Sequence, residues 1–279
     1  MKLLNLGCGT KYHKDWINID FVSNNKDILS YDLLKGIPYK DNTFDVVYHS
    51  HLIEHLSKIE GVSFIKECYR VLKPGGIIRI ATPNLEAIVK NYIKFLYRSL
   101  NRDKISEFKY DFTMLEMYDQ CVRTFNGGEL GQLYKKGAFY DPDFVYNRTD
   151  FKKLIDQKRN TNHMNKKPFS YVTNRLRGIL HKMLEISFNL NIKEDLLKIA
   201  LGKEYKYYEL GKFRLSGEVH QWMYDRFSLK RLLVQNKFKD VKICQAIESR
   251  VPNWNSYNLD TNPDETVYKP DSIFVEAVK

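Results

Sequence analysis

Short apolar runs separated by glycine, asparagine and aspartate dominate the first eighty residues, and longer apolar periods take over afterwards. The runs at 2–6, 16–20, 44–48 and 77–81 are too short for helices and rich in Ile, Val and Leu, which predicts strands. Between the last two, Ile59, Val62, Phe64, Ile65, Cys68, Tyr69 and Leu72 recur at helical spacing, so Ser57 to Leu72 reads as a helix. Lys73-Pro74-Gly75-Gly76 then breaks it and turns the chain into the next strand. Strands alternating with a helix predict an α/β protein with a doubly wound sheet. After Pro83-Asn84 the pattern becomes helical, at about 85–100 and 174–201, with polar, aromatic-rich joins. Residues 85–216 therefore read as a mainly helical insertion, a cap on a core made of 1–84 and 217–279. Ser228 to Leu233 reads as a short helix after a serine cap, and 240–244 and 272–277 read as the last strands.

The first two strands carry the chemistry. Leu4-Asn5-Leu6-Gly7-Cys8-Gly9 puts two glycines where the chain leaves the first strand, and Asp20 ends the second. Glycine allows a sharp turn and the close approach of a ligand, and a carboxylate at the next strand end can accept both hydroxyls of a ribose. A dinucleotide site needs a third glycine and a helix N-terminus facing pyrophosphate. Here Tyr12 stands at the third glycine position, and the gap from Gly9 to Asp20 is too short for a helix plus a strand. A cofactor with an adenosine and no phosphates, such as S-adenosylmethionine, suits this arrangement better.

Further motifs follow in order: Asp32-Leu33, then Phe44-Asp45-Val46-Val47-Tyr48 and His49-Ser50-His51-Leu52-Ile53-Glu54-His55, then Arg70-Val71-Leu72-Lys73-Pro74-Gly75-Gly76. Together with the glycine turn they resemble the class I S-adenosylmethionine-dependent methyltransferases, especially the bacterial type 11 group, over about residues 2–84 and 217–279. The resemblance implies a Rossmann-like seven-stranded sheet whose antiparallel last strand inserts beside the fifth. It implies a cofactor site in which the Gly7-Cys8-Gly9 turn lies along S-adenosyl-L-methionine and Asp20 takes the ribose. Asp32 and the Leu33 backbone would meet the adenine, and His49 and Ser50 the methionine moiety. Asn5 stands where many members carry an acid, so a contact to the methionine amino group there would be made by an amide. S-adenosyl-L-homocysteine would be the product.

A hydroxyl acceptor needs a base of near-neutral pKa, which points to histidine. His220, in Gly217-Glu218-Val219-His220-Gln221-Trp222-Met223-Tyr224-Asp225, is the preferred candidate, with His51 and His55 as the others. Trp222 or Tyr224 beside it could stack on a sugar face. His51-Leu52-Ile53-Glu54-His55 also has the His-x-x-Glu-His spacing of an inverted zinc-peptidase motif. Its place just after a strand, without a long helical context, argues against that. Some small-RNA and quinone O-methyltransferases carry Glu-x-x-Glu-His here and bind a divalent metal. His51, Glu54 and His55 match those positions with His220 as a fourth ligand, and histidine would shift preference from magnesium toward manganese, iron or zinc. The favoured reading is instead that Glu54 and His55 cap and pack the helix, and the metal stays open.

Composition adds bounds. A chain of 279 residues, 43% hydrophobic, can bury a substantial core. No run of 18 apolar residues and no charged-then-apolar leader occur, so the expectation is a cytoplasmic protein. Cys8, Cys68, Cys121 and Cys244 show no paired spacing and are expected to be reduced thiols. The net charge is +11, and residues 101–216 hold 22 Lys and Arg against 15 Asp and Glu, so the basic part is the cap. That charge suits an anionic small-molecule or glycan acceptor. Nucleic acid is disfavoured because no recognition motif accompanies it. A basic amphipathic stretch from Arg175 to Leu184 could lie on a membrane surface, although such helices more often pack on their own domain. The leading expectation is O-methylation of a sugar, glycolipid precursor or other small molecule. N-methylation of an amine and a non-catalytic methyltransferase-like binding subunit are the alternatives.

Overall fold

The computed structural model describes residues 1–137, 139–149 and 192–279. Seven strands form one sheet in the order β3-β2-β1-β4-β5-β7-β6. They are β1 (Leu3–Leu6), β2 (Ile17–Asp20), β3 (Ile28–Ser30), β4 (Phe44–Ser50), β5 (Leu72–Pro83), β6 (Lys239–Cys244) and β7 (Ser272–Val278). β1 to β5 run parallel, and β7 lies antiparallel between β5 and β6, as the resemblance implies. All four residues of β1 are buried, which is why Leu-Leu-Asn-Leu reads as an apolar run rather than an alternation. β3 was not expected from the sequence: it is three residues long and buries only Ile28, too little pattern to announce a strand.

One face of the sheet packs Leu4, Leu6, Val47, Ile78 and Ile80 against α1 (Lys58–Val71) through Phe64, Ile65 and Cys68. Ser57 and Glu60 close a reciprocal capping box at the start of α1. The helix cap is thus Ser57, and Glu54 and His55 lie upstream in a short 3-10 turn, Ile53–His55, so they do not cap it as expected. At the other end the strand begins directly at Leu72, which pairs with Phe44; residues 73–76 bulge before Ile77 pairs with Val46. Gly75 there has a φ of +76° and donates its N–H to Lys279 O.

The opposite face is covered by the connection between β6 and β7. Val251, Trp254 and Leu259 pack on Leu3, Trp16, Val46 and Tyr48. Arg79, pointing from β5 into this layer, bonds Asp260 and Glu276 and the carbonyls of Gln245, Ala246 and Glu248. A loop stapled by a buried guanidinium does here what helices do in other doubly wound sheets.

Residues 1–151 and 217–279 form one compact unit and 152–216 a second. The first therefore holds α2 (Leu85–Ser99), α3 (Lys104–Met114), a π-type turn Leu115–Asp119, α4 (Gln120–Val122), α5 (Gly128–Lys136) and α6 (Pro142–Tyr146). The division expected at 84/85 falls inside this unit. Phe112, Leu130 and Val145 give these helices a small core of their own, and His220 N donates to Gln120 O while Arg123 pairs with Glu218. Within the second unit the described helices are α7 (Ile192–Leu201) and α8 (Tyr205–Arg214), with Glu194 and Lys212 ion-paired. The expected helix at 174–201 is observed from 192 onward, and the rest of it, with Arg175 to Leu184, lies outside the described residues. α9 (Arg226–Gln235) is capped three residues earlier than expected: Asp225 is the cap, and Ser228 answers it from inside the first turn. Among the described residues no helix is long and apolar enough to cross a membrane.

Candidate active site

In parallel sheets ligands bind at the C-terminal strand ends where strand order reverses. That point here is between β1 and β4, and the cleft there is lined by Asn5, Gly7, Cys8, Gly9, Thr10, Lys11, Tyr48, Ser50, His51, Tyr268 and Lys269, with a volume of about 230 Å³. Gly7 and Gly9 have φ of +63° and +52°, so the turn needs glycine for its backbone alone. A Cβ on Gly7 would lie 2.8 Å from Leu52 Cδ1, whereas one on Gly9 would meet no protein atom within 4 Å. Gly9→Ala is accordingly expected to lower stability by only about 1–2 kcal/mol, from the left-handed backbone. Gly9 lines the cleft and the added methyl would enter its open space, so the variant should also weaken S-adenosylhomocysteine binding. Melting temperature and calorimetric titration of the same variant check the two effects separately.

Asp20 accepts the Gly9 N–H at 2.6 Å through Oδ2, and its backbone carbonyl accepts from Tyr31 N. The carboxylate and the glycine turn are thus one hydrogen-bonded unit. Asn5 is buried; its Nδ2 donates to Asn18 Oδ1 at 3.1 Å and Lys11 O at 3.3 Å, and its Oδ1 has no partner. An orphaned amide oxygen is a fitting acceptor for an ammonium. Burial, with Asp20 adding to it, pushes the Cys8 thiol up to about 12, so Cys8 lines the turn without nucleophilic character.

Six expected positions do not line the cleft: Asp20, which is bonded to the lining residue Gly9, and His49, Asp32, Leu33, His55 and His220. Side chains alternate along β4: Tyr48 and Ser50 line the cleft, and His49 points to the other face, edge-on to Phe64 at 5.1 Å. His49 is fully buried with both ring nitrogens unpartnered, and burial brings its pKa to about 3, so it is a core residue and not a methionine contact. Asp32 spends Oδ1 on Leu34 N, capping the short turn Leu33–Lys35; neither it nor Leu33 lines the cleft. His220 and His55 do not line it either. Their rings meet edge-on at 4.7 Å beside Glu54, and desolvation lowers both pKa values. Tyr224 is buried in the main core, and Trp222 is exposed with Lys58 Nζ 5.1 Å from its ring.

His51 is the expected base candidate that does reach the cleft. Its φ is +50°, uncommon for a side-chain-bearing residue, and its N–H donates to Ala81 O. Nε2 lies 2.8 Å from Ser272 Oγ, and Nδ1 lies 3.2 Å from Glu54 Oε1. Burial first, then the charges of Lys269, His220 and His55, hold its pKa well below the ordinary histidine range. Sequence reasoning missed Lys11, Tyr48, Tyr268 and Lys269. Lys11 donates to Thr261 O and sits 4.3 Å over the Tyr268 ring, while the Lys269 ammonium is lowered chiefly by desolvation. Tyr268 and Lys269 come from the β6–β7 connection, which carries no periodicity to flag them.

A seven-stranded sheet with an inserted antiparallel strand, and a glycine turn bonded to the carboxylate of the neighbouring strand, defines the class I S-adenosylmethionine-dependent methyltransferase fold. Residues 4–80 match the model of the methyltransferase domain family. The chain is similar to a probable S-adenosylmethionine-dependent methyltransferase of Mycolicibacterium smegmatis, 43% identical over 51 residues, 18% of this chain and 19% of the relative. It is also similar to the mitochondrial ubiquinone biosynthesis O-methyltransferase of Mus musculus, 36% identical over 109 residues, 30% of this chain and 29% of that protein. The chain thus spans less than a third of the length of these relatives. Among solved structures, a SAM-dependent methyltransferase from Archaeoglobus fulgidus aligns over 100% of this chain and 86% of its own, at 15% identity and a TM-score of 0.36.

Proposed function

We propose that this chain is an S-adenosylmethionine-dependent methyltransferase that transfers a methyl group to a hydroxyl of a sugar, glycolipid precursor or other small molecule. The observation that carries this reading is that His51 and the Gly7–Gly9 turn line the same cleft, so a proton acceptor stands beside the cofactor turn. Bound S-adenosylmethionine supplies a methyl carbon already activated by its sulfonium, and what remains for the protein is alignment and proton removal. Asp20 and the turn would hold the ribose end, with Asn5 Oδ1 and Ser50 toward the methionine end. Burial keeps His51 uncharged and able to take a proton, and makes it a weaker base than an exposed histidine. Its imidazolium would form next to Glu54, whose buried carboxyl is pushed up to about 7 by desolvation. Lys11 and Lys269 make the cleft cationic, which suits an acceptor carrying a negative group.

An amine acceptor needs no base, so His51→Ala separates the alternatives. For a hydroxyl acceptor the variant is expected to lose about 10²–10⁴-fold in kcat while binding S-adenosylhomocysteine as before. Methyl-labelled cofactor offered with sugars, polyols and amines provides the readout. Label found only on amines, at a rate indifferent to His51→Ala, would replace O-methylation by N-methylation. Failure of S-adenosylhomocysteine to shift the melting temperature would favour a non-catalytic subunit.

A further inference from the structure

Directly behind His51 lies a set of side chains of which the methyl-transfer reading uses Glu54 alone. Glu54, His55 and His220 each offer an atom, and these atoms lie within 4.8 Å of one another. Glu54 Oε1, His55 Nδ1 and His220 Nδ1 are all buried and without a hydrogen-bond partner. Native interiors rarely leave three buried polar atoms without a partner in one cluster. A cation satisfies all three at once.

The backbone holds the set in place. Gln221 N and Trp222 N both donate to Glu54 O, at 2.7 and 3.2 Å, which staples the His220 segment to the Ile53–His55 turn. The second carboxylate oxygen of Glu54 accepts from Thr82 Oγ1 at 3.0 Å, and the Val219 carbonyl faces the His55 ring and favours its N–H form on that side. Such outer contacts orient ligands and leave the inward lone pairs free. The charges of Lys269 and Arg123 act on both imidazoles and oppose binding, while Glu218 favours it at His55. His51, on the cleft side, brings Nδ1 to 3.2 Å from Glu54 Oε1 without hydrogen-bond alignment, so a fourth nitrogen borders the same space.

We propose that Glu54, His55 and His220 form a binding site for one divalent transition-metal ion, one side chain behind the cleft. Two imidazoles and one carboxylate match zinc, cobalt, iron or manganese and disfavour magnesium and calcium, which prefer all-oxygen sets. The site stands on its own geometry; a role in orienting the acceptor hydroxyl rests on the methyltransferase reading.

The test uses the full chain, stripped with chelator and titrated with Co²⁺ and Zn²⁺ by calorimetry and, for Co²⁺, by visible absorption. One ion per chain is expected, with ligand-field bands of a nitrogen and oxygen environment and little heat with Mg²⁺. Glu54→Gln and His220→Ala, verified as folded by circular dichroism, should each weaken binding at least about 100-fold, and His13→Ala should leave it unchanged. No binding by the wild type, or binding untouched by both variants, overturns the site. Titrating S-adenosylhomocysteine into the same samples tells the two readings apart, because metal can bind where the cofactor does not and the reverse.

Discussion

Replacing Asp20 by alanine is expected to reduce the affinity for S-adenosylhomocysteine by about 10²–10³-fold. The loss has two sources. The carboxylate would no longer accept from the ligand's hydroxyls, and hydrogen bonds to a charged group contribute about 1.5–3 kcal/mol each. The Gly9 N–H, held at 2.6 Å, would also lose its acceptor, releasing a turn whose φ values only glycine tolerates easily. Asp20→Asn keeps an acceptor for Gly9 and drops the charge, so it should fall between wild type and alanine. Asp20 is half-buried at the end of β2, so the melting temperature should change little for either variant. Calorimetric titration decides the matter: wild-type affinity in Asp20→Ala would mean that the ribose, and hence the cofactor, is not held here.

Much of this arrangement was readable because it depends on residue type and spacing over short distances. Glycines at 7 and 9 and a carboxylate at 20 specify a turn and its acceptor whatever else the chain does. The apolar period of α1 likewise follows from one face being buried. What the sequence hid are consequences of pleat and of long-range packing. His49 looks like a neighbour of Ser50, but the period of two along β4 sends it to the opposite face, into contact with Phe64. Asp32 looks like an available acid, yet the local turn uses it as a cap. His220 reads as a base from its motif, but it is held by Gln120 O and lies with Glu54 and His55, a placement decided by contacts with residues far away in sequence. Tyr268 and Lys269 reach the cleft only because the whole β6–β7 connection is pinned across the sheet, and nothing local announces that.

That pinning has a buried ionic anchor, and removing it should produce a large stability loss. Arg79 is fully buried with Nε 2.7 Å from Asp260 Oδ2 and NH1 2.7 Å from Glu276 Oε1; its remaining N–H groups reach the carbonyls of Gln245, Ala246 and Glu248, and Trp254 lies 4.4 Å from its guanidinium carbon. Arg79→Ala strands two buried carboxylates. Glu276 keeps Ser249 Oγ and Arg250 N, whereas Asp260 keeps only Tyr48 Oη at 2.6 Å. Removing one partner of a buried pair costs about 3–5 kcal/mol, which for a chain of this size lowers the melting temperature by roughly 6–20 °C. Tyr48→Phe, which removes one bond to the same Asp260, should cost about 1–3 kcal/mol. Because Tyr268 and Lys269 ride on the same connection, the surviving folded fraction of Arg79→Ala should also bind S-adenosylhomocysteine more weakly at temperatures well below its melting point. A stability change under about 1 kcal/mol would mean that solvent enters beside Asp260 and replaces the guanidinium, in which case the aromatic cluster of Trp16, Tyr48 and Trp254, and not the ion pairs, holds the second face of the sheet.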